Sequence, residues 1–264
     1  PEPVKISSTW MIALGIGVLA LLFLTYLSWD YFRNRPTQPE FVQTQPNLTS
    51  QTPETPVDDL NASKKQVEIE SAPLPREISQ PANTEYFENA KTGLKGELAR
   101  NFRGFKLFYP NTWSKSVDEN NFLDISNKVD GLPVEQMIVT HYPTSGLFSK
   151  DKENFPKLVE KSNKDLSKLE GYKVISEGET KIQNGRWNVY EVKFQGLFTK
   201  SDGKTITVWG RRFWLPPQDK RIKNGLVVTL LATSLSSEVS SVDDVGNKGD
   251  LAGILENFEP SQAD

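Results

Sequence analysis

The sequence contains no cysteine and only one histidine, His141, among its 264 residues. The absence of cysteine excludes disulfide frameworks, thiolate zinc sites, iron–sulfur clusters and cysteine nucleophiles. One histidine is also too few for a histidine-rich metal centre. The 36% of hydrophobic residues is an ordinary share for a globular protein, so the chain can bury a core without covalent cross-links.

A large excess of charge of either sign is also missing. The chain has 31 basic and 34 acidic residues, which gives a net charge of −3. A charge this small provides no overall field that would attract a nucleic-acid backbone, although it leaves local patches open. We therefore expect no nucleic-acid partner.

The common catalytic motifs are absent as well. The sequence has no GxSxG elbow, no P-loop, no HExxH, no GxGxxG that opens a helix and no EF-hand spacing. His141 is a candidate base, and Asp243, Asp244 and Asp250 are candidate ligands for a cation. A packed strand histidine, and acids favoured at a helix start by the helix dipole, are the competing interpretations. No nucleophile with a base can be named, so we expect no enzyme, no metal and no cofactor.

One long segment carries no charge at all. It runs from Trp10 to Trp29 as WMIALGIGVLALLFLTYLSW. At 1.5 Å per residue it matches the ~30 Å hydrocarbon core of a bilayer, and amphipathic aromatic residues mark both ends. The pattern predicts a transmembrane anchor helix over residues 10–30, after a short tail of residues 1–9. A cleaved signal peptide is the alternative, but no small-x-small cleavage site follows the run.

Small residues recur on one face of this predicted helix. Ala13, Gly17 and Ala20 would let another membrane helix approach closely. Small residues are also common in membrane helices that have no such partner. The spacing therefore makes these three residues candidates for helix packing in the membrane.

Proline is concentrated in the next segment. Eight of the chain's seventeen prolines fall between Pro36 and Pro81, among many Gln, Thr and Ser residues. A segment of this composition cannot bury a core, and it predicts a disordered, extended linker over residues 31–84.

The globular mixture of residues returns in residues 85–260, before a tail of residues 261–264. Alternating patterns predict strands, Asn184-Gly185 predicts a type I′ hairpin, and the apolar run Leu226–Ala232 predicts a central strand. Helical spacing predicts a helix from Phe155 and a terminal helix capped by Ser240 or Ser241. This order predicts an α+β domain, an antiparallel β-sheet flanked by helices in an α/β/α sandwich.

Two segments of this domain resemble a known family. GFKLFYPNTW at Gly104–Trp113 and GRWNVYEVKFQG at Gly185–Gly196 are similar to strands of the PsbP family, the extrinsic subunits of photosystem II, and of its broader superfamily. The resemblance is confined to the C-terminal domain. It implies a non-catalytic fold that binds and stabilises partner proteins in an extracytoplasmic or lumenal space.

One stretch of the domain is unevenly basic. Lysines and arginines outnumber acids between Lys200 and Lys223, with tryptophans interleaved, and exposed Trp and Arg are enriched in binding hot spots. The alternative is that the tryptophans are core residues and the charges solvate a loop. The candidate partner-binding residues are Lys204, Trp209, Arg211, Arg212, Trp214, Lys220, Arg221 and Lys223.

These patterns favour a single-pass, membrane-anchored accessory subunit that binds a membrane protein complex, in a photosynthetic or a respiratory system. An anionic lipid surface or an acidic protein would suit the basic stretch. The alternative is an envelope module that binds a small ligand or a polymer. We expect the domain to be extracytoplasmic, in the periplasm or the thylakoid lumen.

Overall fold

Two antiparallel β-sheets form the framework of residues 72–116, 119–200 and 202–261, which the computed structural model describes. The larger sheet contains β3 (Ser114–Ser116), β4 (Leu123–Val129), β5 (Leu132–Pro143), β6 (Glu170–Ile182), β7 (Trp187–Thr199), β8 (Thr205–Leu215) and β9 (Asn224–Thr233). The smaller sheet contains β1 (Thr84–Asn89), β2 (Phe105–Pro110) and β10 (Glu259–Pro260). The helices in these ranges are short: α1 (Gly96–Arg100), α2 (Phe148–Asp151), α3 (Phe155–Leu166) and α4 (Gly249–Asn257).

The apolar run predicted as a central strand lies in the middle of the larger sheet. The strand order is β3-β4-β5-β9-β8-β7-β6, so β9 pairs with β5 on one side and β8 on the other. Its residues are apolar on both sides because both faces of the sheet are covered. Leu226 and Val228 belong to one core and Val227 to the other.

Helix α3 covers one face of the larger sheet. Phe155, Val159 and Leu166 recur at helical spacing and pack in one cluster with Phe194 of β7 and Trp214 of β8. Each fully buried side chain of this kind contributes roughly 1.5–3 kcal/mol. The predicted helix from Phe155 is therefore confirmed, and packing on the sheet holds it in place.

The other face is covered by α4 together with the smaller sheet. The sequence predicted helices on the faces and did not predict that strands would share one outer layer. The reason lies in β2, which is apolar on both sides and needs a partner for each. The Phe105 ring lies 5.2 Å from that of Phe258 in the core, and the Phe108 ring lies 5.4 Å from that of Tyr86 on β1.

The predicted type I′ hairpin is present. Asn184 and Gly185 have φ angles of +55° and +88° between β6 and β7, as a type I′ turn requires. A second hairpin joins β7 to β8, which pair from Tyr190↔Trp214 to Thr199↔Thr205. The segment that leads to Asn184 forms one continuous strand of 13 residues, β6.

Strand β6 lies at one edge of the larger sheet. Its pairing with β7 shifts register between Val174 and Ser176, which leaves Ile175 as an extra residue in a β-bulge. Charged side chains, including Lys173 and Glu177, accompany the bulge along this exposed strand. Both features interrupt the regular row of backbone groups that an edge presents.

The terminal helix begins later than the sequence predicted. The Ser240 N–H and the hydroxyls of Ser240 and Ser241 donate to the Asp244 carboxylate in a turn, and α4 starts only at Gly249. A continuous helix from Ser240 is blocked because Gly246 and Gly249 have φ angles of +70° and +66°. The expectation that Ser240 or Ser241 caps this helix was therefore wrong.

The start of α4 is held by a side chain from another element. Glu135 of β5 accepts hydrogen bonds from the Leu251 backbone N–H at 3.3 Å and from the Ser236 hydroxyl at 3.1 Å. Burial is the main influence on the Glu135 carboxyl and raises its pKa above the ordinary 4.5, against the opposing effect of these hydrogen bonds. The folded protein therefore holds the Glu135 proton more tightly than the unfolded chain does. The resulting stabilisation is complete below pH 4.5 and is lost as the pH rises through the raised folded pKa.

Replacing Glu135 by glutamine is expected to remove this pH dependence, since glutamine stays neutral and still offers an oxygen to the Leu251 N–H. The free energy of unfolding of the full-length chain is measured by urea denaturation. As the pH rises from 4.5, the value for the Glu135→Gln variant should increase relative to the value for the wild type. Glu135→Ala separates the two effects: relative to the glutamine variant, losing the acceptor should cost about 1–3 kcal/mol at every pH, because neither variant titrates at this position. A constant difference between the Gln variant and the wild type would contradict this account.

No helix in the described ranges is long and apolar enough to cross a membrane. The predicted anchor, including Ala13, Gly17 and Ala20, lies outside those ranges.

Candidate interaction surface

The geometry of β8 divides the predicted basic patch. Lys204 precedes this 11-residue strand, whereas Lys220, Arg221 and Lys223 follow it. At about 3.3 Å per residue the two groups lie roughly 35 Å apart, and side chains between them alternate between the two faces. The eight predicted residues therefore do not form one surface.

Arg211 is engaged inside the domain. Its Nε donates to Glu191 Oε1 at 2.5 Å, and its Nη1 donates to the Val245 carbonyl at 2.7 Å. Its guanidinium lies 5.0 Å from the centre of the Phe213 ring. Only 9% of the Arg211 side chain and 11% of the Glu191 side chain are exposed, so this ion pair is part of the core.

Arg212 and Trp214 point to the opposite face, beneath α3. The Arg212 guanidinium donates to the hydroxyls of Thr229, at 2.9 Å, and Ser162. Trp214 is buried in the cluster beneath α3. Trp209 is half-buried and packs against the other core. The interpretation of the tryptophans as core residues thus holds for Trp214.

The three cations that follow β8 lie on one loop, residues 216–223, which we call the basic loop. Arg221 forms an ion pair with Asp219 at 2.5 Å, and 82% of the Arg221 side chain is exposed. Hydrogen bonds from Arg221 are the main cause that lowers the pKa of Asp219 to about 2. Lys223 Nζ donates to the carbonyls of Lys220 at 2.7 Å and Ser145 at 3.4 Å. The loop thus presents three cations against one acid.

The basic loop is held against the turn that follows β5. The Thr144 N–H donates to the Lys223 carbonyl at 2.9 Å. Gly146, with a φ of +96°, packs so closely that a Cβ there would lie 2.2 Å from the Asp219 carbonyl oxygen. Gln218 is buried and adopts a φ of +57°. The positions of the loop cations are therefore set by backbone packing.

The N-terminal segment is fastened to the domain by arginines. Arg76 binds Glu259 at 3.1 Å and Glu256 at 3.0 Å. Arg186 binds both carboxylate oxygens of Glu259, at 2.7 and 3.0 Å, and donates to the Leu74 carbonyl at 3.0 Å. The last part of the segment predicted as linker, from residue 72, therefore lies on the domain.

These features occupy the same end of the larger sheet. The turn with Arg186 precedes β7, and the antiparallel pairs Tyr190↔Trp214 and Leu215↔Leu226 place the end of β8 and the start of β9 beside it. We call this the basic end; it comprises the basic loop, the turn at residues 183–186 and residues 74–76. The opposite end carries the turn at residues 130–131 and the residues 202–204 that precede β8.

His141 lies in the core. It is buried on β5, with its ring 5.7 Å from that of Phe122. This placement favours the interpretation as a packed strand histidine over the interpretation as a base.

The candidate cation ligands are bound to other side chains of the domain. Asp243 binds Lys193 at 2.7 Å, Asp244 binds Lys248 at 2.7 Å, and Asp250 accepts from the Trp113 indole at 3.1 Å. Within the part of the chain that the structure describes, no group of three or more His, Cys, Asp or Glu residues could hold a metal ion.

Sequence reasoning missed Arg76, Arg186 and Glu259. Glu259 lies 183 residues after Arg76 and 73 after Arg186 in the chain. No local periodicity or motif connects residues so far apart. The burial of Glu259, which makes a cationic partner necessary, is visible only in the structure.

Comparison with known proteins gives structural similarity without sequence relatives. No protein-family model and no curated protein sequence matches the chain. The solution structure of cyanobacterial PsbP (CyanoP) from Synechocystis sp. PCC 6803 is similar at a TM-score of 0.42 and 12% identity, covering 69% of this chain and 94% of that one. A crystal structure from Bacteroides thetaiotaomicron VPI-5482 is similar at a TM-score of 0.36 and 11% identity, covering 60% of this chain and 45% of that one. The chain thus spans less than half of the Bacteroides protein. The resemblance to PsbP noted in the sequence is confirmed as a weak structural match.

Proposed function

We propose that this chain is a single-pass, membrane-anchored accessory subunit that binds a membrane protein complex of a photosynthetic or respiratory system through its folded domain. The observation that carries the proposal is the run of twenty uncharged residues from Trp10 to Trp29 ahead of a separate folded domain. The run has the length and composition of an anchor. The domain then works beside the membrane.

A binding role without catalysis is supported by the engagement of the candidate chemical groups. Asp243 and Asp244 hold lysines, Asp250 holds an indole, and Arg211 holds Glu191. Contacts of this kind stabilise the folded domain. In this proposal the domain is a PsbP-like α/β/α sandwich, with α3 and α4 on opposite faces of the larger sheet.

We place the domain on the extracytoplasmic side, in the periplasm or the thylakoid lumen. The missing cysteines and the proline-rich linker are compatible with that location.

Affinity purification from native membranes in mild detergent tests the proposal. The full chain should co-purify with a constant, stoichiometric set of integral membrane proteins. Protease added to intact cells or, for a lumenal domain, to opened thylakoids should remove the domain, while sealed inside-out vesicles protect it. A chain that emerges alone and monodisperse would overturn the assembly role, and digestion from the cytoplasmic side would reverse the location.

A double arginine variant provides the control. Leu19→Arg with Leu22→Arg should abolish membrane retention and co-purification, because each arginine at the centre of a membrane helix costs roughly 2.5–3.5 kcal/mol. Leu48→Arg with Leu60→Arg adds the same charges in the proline-rich segment and should leave both intact.

A further inference from the structure

The basic loop presents a compact positive charge at one end of the domain. Lys220, Arg221 and Lys223 lie within four consecutive positions, and Asp219 is the acid that accompanies them. Lys223 binds two carbonyl oxygens rather than a carboxylate. The loop therefore keeps a surplus of two positive charges toward solvent.

Backbone packing fixes these cations before any partner arrives. Gly146 and the Thr144 N–H hold the loop from one side, and Pro216 and Pro217 stiffen its start. Binding an anionic surface thus costs little ordering of the loop.

The chain leaves the domain from this same end. Leu74 and Arg76 are bound there by Arg186, Glu256 and Glu259. Leu74 is 85% exposed, so it adds an apolar side chain to the basic end. Any pull from the N-terminal side acts on this end of the sheet.

The point at which the chain enters the domain favours this end as the one nearer to the anchor. About 40 residues separate the apolar run from residue 72. The longest strands of the larger sheet have 13 residues, which span about 43 Å. The opposite end of the sheet is thus one strand length farther along the molecule from the point of attachment.

We propose that the basic end faces the bilayer in which the chain is anchored, and that Lys220, Arg221 and Lys223 bind the anionic headgroups of its lipids. This proposal rests on the proposed membrane anchor and adds the orientation of the domain and the lipid class. Cations close to an anionic leaflet are attracted within about a Debye length, and an exposed leucine can enter the headgroup region beside them.

Because the chain has no cysteine, single labels can report this orientation. Ser149 is exposed in α2, directly after the turn that packs on the basic loop, and Ser237 is exposed just after the end of β9 at the opposite end of the sheet. Ser149→Cys and Ser237→Cys therefore label the two ends, each with a fluorophore on the full chain in nanodiscs that contain a headgroup-quencher lipid. In discs in which about one third of the lipid is phosphatidylglycerol, the Ser149 label should be quenched much more than the Ser237 label. In pure phosphatidylcholine discs, or at high salt, the difference should shrink.

Charge reversal gives the decisive comparison. Each Lys or Arg near an anionic surface changes the equilibrium about fivefold, so reversing the three loop cations to glutamate should lower the ratio of quenched to unquenched Ser149 label by at least about a hundredfold. A matched control, Lys128→Glu with Lys200→Glu and Lys204→Glu, changes the net charge equally at the opposite end and should leave the ratio unchanged. The milder Lys220→Gln with Lys223→Gln variant covers the case in which triple reversal disturbs folding, which circular dichroism reports.

Alkaline carbonate extraction of the same discs separates this proposal from the proposed anchor. Loss of the chain on extraction would overturn the anchor and with it the orientation. An extraction-resistant chain whose two labels are quenched equally in anionic discs would overturn the orientation alone. Quenching of the Ser149 label that appears only when an integral protein partner is added would assign the basic end to an acidic protein instead of lipid.

Discussion

Replacing Glu191 by alanine is expected to lower the free energy of unfolding by about 3–5 kcal/mol, because the Arg211 guanidinium would be left buried without its carboxylate. The two side chains are only 11% and 9% exposed, and the Val245 carbonyl alone cannot compensate the charge. Urea denaturation of the full chain, followed by tryptophan fluorescence, measures the change.

Two controls define the origin of this loss. Glu160→Ala breaks the exposed pair with Lys164 and should cost no more than about 0.5 kcal/mol. Glu191→Leu combined with Arg211→Met removes both charges and should recover most of the stability, since apolar pairs often replace buried ion pairs at little cost. If Glu191→Ala lowered the free energy of unfolding as little as Glu160→Ala, the buried ion pair would not contribute to stability.

Replacing Gly146 by alanine is expected to lower the free energy of unfolding by about 2–5 kcal/mol, from two sources that add. Its φ of +96° strains any residue with a Cβ, by roughly 1–2 kcal/mol. The new Cβ would lie 2.2 Å from the Asp219 carbonyl oxygen and 2.8 Å from that of Ile222, and such overpacking typically costs 1–3 kcal/mol. The basic loop should be displaced, so limited trypsin digestion should cut after Lys220 or Arg221 sooner than in the wild type.

Gly93 offers a matched comparison. Its φ of +91° is nearly the same, but no atom lies within 4 Å of a Cβ placed there. Gly93→Ala should therefore show the strain alone, roughly 1–2 kcal/mol, with unchanged digestion of the basic loop. Equal losses for the two variants would mean that the contact between Gly146 and the basic loop contributes nothing.

Local patterns predicted the parts of the fold that depend on neighbours in sequence. Asn184-Gly185 specifies its turn through two positive φ angles, and the spacing of Phe155, Val159 and Leu166 specifies the buried side of α3. The run around Val228 had to be a covered strand because it offers no polar face.

Local sequence patterns could not predict the layer that contains the smaller sheet. β1 and β10 are short, and their partner β2 is distant in sequence from β10. Glycine conformations interrupted the terminal helix at Gly246 and Gly249, although the composition from Ser240 onward looked helical. In both cases, contacts between distant segments decided the structure.

The candidate surface was predicted only in part. The surplus of charge at Lys220, Arg221 and Lys223 was visible in the sequence, and the structure keeps it at the surface. The inclusion of Arg211 and Trp214 in one patch was wrong, because a strand alternates its side chains between two covered faces.

The irregularity at Ile175 affects what happens when two copies of the domain meet. A regular, uncharged edge strand can pair with the same strand of a second copy and join two sheets into one. The displaced backbone at Ile175 and the charges beside it interrupt such pairing. Copies at high local concentration, as on the membrane surface proposed above, can therefore remain separate molecules.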